Sequence, residues 1–126
     1  RCNKNKMSYK KIYSALLIMC CYCSCHSQDC NQLSDHFISY DQALKELKSA
    51  HFKIRESVNT SKSSWVRGAS YYSCDGILGY FIIKTDKQEY IYKDMPIKIW
   101  NGFKNAESFG KYYNRNIKHN YQLYLQ

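Results

Sequence analysis

Seven cysteines and four histidines are the side chains of this 126-residue chain best suited to hold a metal or attack a substrate. Cys20, Cys21, Cys23 and Cys25 stand beside His26, a density of soft ligands that would suit zinc or copper in a reducing compartment. The same stretch has a second reading. Lys10 and Lys11 precede an apolar run from Ile12 to Cys23, and small or polar residues follow from Ser24 to Gln28, the three-part layout of a secretory leader that begins at Met7. About twelve apolar residues fall short of the roughly 20 that a spanning helix needs, so the pattern predicts a leader and no stable transmembrane anchor. Within a leader core the clustered thiols are only small hydrophobes, and neither metal nor cofactor is expected. Cleavage after Ser27 would leave Gln28 first, and the competing route is a lipoprotein with Cys25 lipidated behind Ser24. Both routes place the body outside the cytoplasm, in the periplasm or cell envelope.

Loss of residues 1–27 leaves Cys30 and Cys74, an even pair in an oxidising compartment, and predicts a disulfide between them. Cys74 beside Asp75 would also fit a thiol nucleophile near a carboxylate. A tight turn at Cys74-Asp75-Gly76 explains the same residues more simply. His36, His51 and His119 have no metal-ligand spacing and sit in no nucleophile motif, so the chain predicts binding rather than catalysis, with no catalytic residue.

Two features could carry binding. Tyr90 and Tyr92 alternate on one face of an extended segment, where aromatic rings can stack on bases, and Lys111, Arg115 and Lys118 form a stripe on a helix, where cations can meet phosphate or an acidic partner. Each has a plain counterpart: tyrosines of a small sheet usually pack under a helix, and a basic stripe is usually a solvated face. The formal charge of +9 overstates the case for nucleic acid. Beyond residue 27, fourteen bases face ten acids, and the surplus lies wholly after Pro96.

The elements that must position these residues follow from periodicity. With 44% apolar and 23% charged residues, the chain suits one small domain, with 13 Tyr, 5 Phe and 2 Trp to fill its core. Residues 28–38 read as a tether, and 39–126 as a single domain. Ser39 and Gln42 form a capping box for a helix over 40–50, with Tyr40, Ala43, Leu44 and Leu47 inward and Lys45, Glu46 and Lys48 outward. Phe52, Ile54 and Val58 alternate with Lys53, Arg55 and Ser57 as a strand. Residues 63–73 read as the next strand, with Trp65 and Tyr71 on one face and Val66 and Tyr72 on the other. The apolar run 78–85 reads as a central strand, and 88–93 as its hairpin partner. At Pro96 the period changes from two to a helical repeat, and Pro96 fixes φ for the first turn. Ile99, Trp100, Phe103 and Ala106 then line one helix; Ser108 caps another, on which Phe109, Tyr113 and Ile117 fall four apart and Tyr121 continues the line. The expected fold is α+β, a small antiparallel meander of three to four strands packed on C-terminal helices, with an N-terminal α-β lead-in.

From Ser63 to Tyr121 the chain resembles the KTSC family, known at the C-terminus of some lysyl-tRNA synthetases and as a stand-alone bacterial protein. Ser63-Ser64, Tyr71, Tyr90-Ile91-Tyr92, Pro96, Trp100, Phe103, Ala106-Glu107-Ser108-Phe109-Gly110, Tyr113-Asn114, Ile117 and Tyr121 carry the likeness. The resemblance implies the same fold, marks Ser64, Tyr90, Tyr92, Pro96, Ser108, Gly110, Tyr113 and Asn114 as its motif, and supplies no catalytic residue. RNA binding is the function it suggests. The leader and near-neutral body point instead to an envelope module that binds a protein or peptide, for which the edge from Phe52 to Val58 could accept an added strand, with nucleic-acid binding as the alternative.

Overall fold

A computed structural model describes residues 27–126. Its centre is a four-stranded antiparallel meander in the order β1-β2-β3-β4, with β1 at Ile54–Val58, β2 at Gly68–Ser73, β3 at Leu78–Lys84 and β4 at Glu89–Pro96. Period-two alternation then dictates two cores. Tyr71, Phe81, Ile83 and Tyr92 project to one side, where helices α2 (Ile97–Lys104) and α3 (Phe109–Asn116) cover them with Trp100, Phe103, Phe109 and Tyr113. Tyr72, Ile82 and Ile91 project to the other, where helix α1 (Tyr40–Ser49) brings Ala43 and Leu47. The lead-in helix therefore forms a third layer. β3, with neighbours on both sides, buries both faces, as its unbroken apolar run requires.

Ser39 caps α1 by accepting from the Gln42 N–H, while the Gln42 side chain accepts from Ile38 N–H, one residue further back than a capping box would place it. Glu46 is half-buried rather than outward, and its Oε2 has no hydrogen-bond partner. The strand expected from Ser63 begins only at Gly68, because Ser63 Oγ accepts from the N–H groups of Val66 and Trp65 and folds that stretch into a turn. Val66 consequently packs with Tyr71 and not with Tyr72.

β4 contains a bulge. Gly79 pairs with Met95 and Phe81 with Tyr92, so β4 holds one residue more than β3 across the same span. Asp94 takes φ 57° there, and the extra residue returns Met95 to the face of Tyr92, fully buried. Tyr71 Oη then donates to Met95 O at 2.8 Å inside the core. Pro96 ends the strand and stands as N-cap of α2, one position before the first turn assigned to it by sequence.

The segment 28–38, expected as a tether, is tied on at several points. Cys30 is bonded to Cys74, Cys30 N–H donates to His51 O, His51 N–H donates to Gln28 O, and Phe37 is fully buried under α1. A single ring of that size withdrawn from water is enough to hold a short segment, at about 2 kcal/mol. The chain's end runs back to the same place: Phe37 bridges Leu125, and Gln126 N–H donates to Phe37 O. The expected leader up to His26, the Cys20 to His26 cluster and the lipidation expected at Cys25 as the competing route lie outside the described residues. Among the described residues no helix is long and apolar enough to cross a membrane.

Candidate functional site

Tyr90 and Tyr92 do share a face, but it is a packed one. Tyr92 is buried against Phe81 and Tyr113, and its hydroxyl is hydrogen-bonded to that of Tyr113. Burial pushes both phenols above their usual range, Tyr92 the further. Trp65 closes the set by standing edge-on to Tyr113, with centroids 5.6 Å apart. The pair is thus no open stacking platform of the kind the sequence allowed; what remains accessible is the rim of this aromatic wall.

That rim borders a groove of about 720 Å³ along the outer edge of β4. Tyr90, Tyr92, Trp65, Tyr113 and Asn114 wall it on the α3 side, Tyr40 and Leu123 on the α1 side, and the β3–β4 hairpin at Thr85 to Lys87 closes one end. Two features build it. α3 stops at Asn116, and positive φ at His119 and Tyr121 swings the chain back toward the sheet. There Lys93 N–H donates to Tyr121 O and Tyr92 bridges Gln122, after which the tail leaves for Phe37. The tail covers only the far part of the edge. Ile91 lines the groove but is itself buried at 1% exposure, beside the point where Tyr92 bridges Gln122 of the tail.

Charge at the groove is uneven. Asp86 is held by Arg67 through two contacts, of 2.7 and 3.1 Å. Lys87, Lys118 and His119 are exposed, and their side chains have no hydrogen-bond or ion-pair partner among the described residues. The basic stripe expected on one helix is divided. Lys111 and Arg115 lie exposed on α3, whereas Lys118 falls past the Ile117 cap and turns to the groove.

Three of the four remaining motif positions gather next door. Ser64, Ser108, Gly110 and Lys111 line a smaller cleft of about 380 Å³, which shares Trp65 and Asn114 with the groove. Ser108 caps α3 by accepting from Lys111 N–H. Gly110 lets the first turn of α3 lie on the indole, since a Cβ there would come within 2.6 Å of Trp65 Nε1. Ser64 makes no side-chain hydrogen bond, and the local turn depends on Ser63 instead. Pro96 lies at the opposite end of β4 and serves only the strand-to-helix junction.

Cys30 and Cys74 are joined, with Cα atoms 5.8 Å apart. A thiol nucleophile at Cys74 is therefore ruled out in this state, and Asp75 is occupied as well: its Oδ1 accepts from the N–H groups of Ile77 and Leu78, which holds the carboxyl below its usual range. Among the described residues one trio of metal-type side chains comes together, Asp29 with the two bonded cysteines. His36, His51 and His119 are all exposed. Along the Phe52 to Val58 edge some side chains make internal contacts, Phe52 stacking on Tyr72, Arg55 donating to Lys48 O and Ala50 O, and Glu56 accepting from Trp100 and Lys104, while β1 itself pairs only with β2 and is exposed from Arg55 to Ser57.

Sequence reasoning missed Trp65 as a wall, Lys87 as a rim cation and the tail as a partial fifth strand. The hairpin at Thr85 to Lys87 was a usable signal for Lys87, since it sets that residue two positions before the strand that carries Tyr90. Nothing in the periodicity marked the turns at His119 and Tyr121.

Residues 62–121 match the family model of the KTSC domain, a span that takes in β2, β3, β4, α2 and α3 and leaves α1 and β1 outside. No curated protein and no solved structure matches the chain.

Proposed function

We propose that this chain is a small exported binding module, without catalytic chemistry, that holds a segment of a protein or peptide in the groove beside β4. The observation that carries the reading is the groove itself: about 720 Å³, lined by five aromatic side chains together with polar and charged ones such as Asn114, Gln122, Lys87 and Lys118. All of its lining but Tyr40, Gln122 and Leu123 comes from the region that matches the KTSC domain, and four of the eight motif positions, Tyr90, Tyr92, Tyr113 and Asn114, line it. Export is supported by the leader pattern before Gln28 and by the joined cysteines, a pairing that suits an oxidising compartment.

A photocrosslinking residue placed at Lys87 in the full-length protein, activated in intact cells, tests the reading. Crosslinks to an envelope protein support it. Crosslinks confined to RNA overturn it in favour of the second reading, nucleic-acid binding, which Lys87 and Lys118 beside Trp65 and Tyr90 also support. A product found only in the cytosol would remove the export claim.

A further inference from the structure

We infer that the groove's occupant is an acidic, proline-containing peptide in the polyproline II conformation, recognised by side chains and not by strand pairing. This rests on the reading of the groove as a protein-binding site and specifies its ligand.

The groove offers a peptide its side chains. Ile91 lines it but is buried beside the point where Tyr92 bridges Gln122 of the tail, so recognition falls to the groups around that strand. A ligand held in this way must keep its own backbone hydrated. Polyproline II is the extended form that does so, because it makes no internal hydrogen bonds and leaves its backbone in water.

The polar groups of the wall point to the same ligand. The side chains of Tyr40, Trp65, Tyr90, Asn114 and Gln122 line the groove and make no hydrogen bond among the described residues, so each has a donor to offer. The one carboxylate in the lining, Asp86, is taken by Arg67. A wall with donors to spare suits a backbone that presents carbonyls and few N–H groups, and proline supplies that backbone.

Ring shape and charge complete the match. Tyr40, Trp65 and Tyr90 are half-buried, and Trp65 is fixed edge-on to Tyr113 with its indole against Gly110. Rings held in this way make the flat walls between which polyproline segments dock. Lys87 in the hairpin and Lys118 past the end of α3 are exposed and unpaired among the described residues, and they favour aspartate or glutamate beside the prolines. Two cations, on a body where fourteen bases beyond residue 27 face ten acids, suit a short acidic peptide better than a polyanion.

The experiment selects linear peptides on the full chain from a displayed random library that lacks tryptophan, then titrates synthetic winners while following protein fluorescence. Of the two tryptophans Trp100 is fully buried, so a shift in emission reports Trp65 and hence the groove. Expected are winners that carry proline with Asp or Glu and shift this emission. They should bind at least about tenfold more weakly when their prolines are replaced by alanine, and likewise on a Lys87→Glu, Lys118→Glu double variant. Both lysines are exposed, and circular dichroism checks that the variant is folded. Winners that shift the emission but lack proline or acidic residues, or that tolerate either change, overturn this inference and leave the groove reading intact. Winners that leave the emission unchanged, failure to enrich any peptide, or preferential capture of an RNA oligonucleotide overturn both.

Discussion

Tyr71 shows how much a single phenol does in a core this small. Its ring stacks on Trp100 at 5.6 Å and its hydroxyl donates to Met95 O, the carbonyl delivered by the bulge. Tyr71→Phe keeps the ring and orphans the carbonyl, so we expect a loss of about 1–3 kcal/mol in a urea melt. The sign of the pH dependence follows from burial, which raises Tyr71 from 10.0 to about 12 and Tyr80 likewise. The folded state holds these protons more tightly than the unfolded chain does. Their contribution is whole below pH 10 and is lost as pH rises through about 12. Absorbance of phenolate should therefore rise in two steps, exposed tyrosines first and the buried set together with loss of near-ultraviolet dichroism. A single smooth titration near pH 10 would contradict the burial described here.

Elements were legible where one period ran unbroken, and obscure where the chain stepped out of it. Leu78 to Lys84 announces a central strand because every residue but the last is apolar or glycine, and Ser108 with Phe109 and Tyr113 announces α3 because cap and stripe agree. The β4 bulge left no trace, since Lys93-Asp94 continues a polar alternation whether or not one residue is extra. Phe37 was overlooked because one apolar residue among polar neighbours has no period. The groove was missed for the same reason, its walls being drawn from α1, β4, α3 and the tail, which only the tertiary fold brings together. The bulge can be tested directly. Gly79 faces it, and a Cβ there would collide with Tyr72 O and come within 2.7 Å of Tyr71 Cζ, so Gly79→Ala should destabilise by more than 1 kcal/mol, of order 1–3. Asp94→Val, at φ 57°, should cost about 1–2 kcal/mol, whereas Asp94→Gly should not; equal melts for the two would refute the left-handed turn.

Across the whole molecule the covalent link decides how firmly the first layer is held. Cys30 and Cys74 are separated by 44 residues, a loop whose closure is worth about 4 kcal/mol in the chain-entropy model. Cys30→Ser should remove most of that and loosen residues 28–38 first. Hydrogen exchange at Cys30 N–H and His51 N–H would show it, because their bonds to His51 O and Gln28 O join that segment to the end of α1.

The same link has a mechanical consequence. A body gripped near Phe37 and Leu125 and drawn apart first loads the short bridge between those two residues, while stretching from Gln28 finds residues 30 to 74 fenced off by sulfur. Single-molecule extension should come up short by about 150 Å when oxidised, since 44 residues at roughly 3.4 Å each stay folded into the ring, and dithiothreitol should release that slack in full.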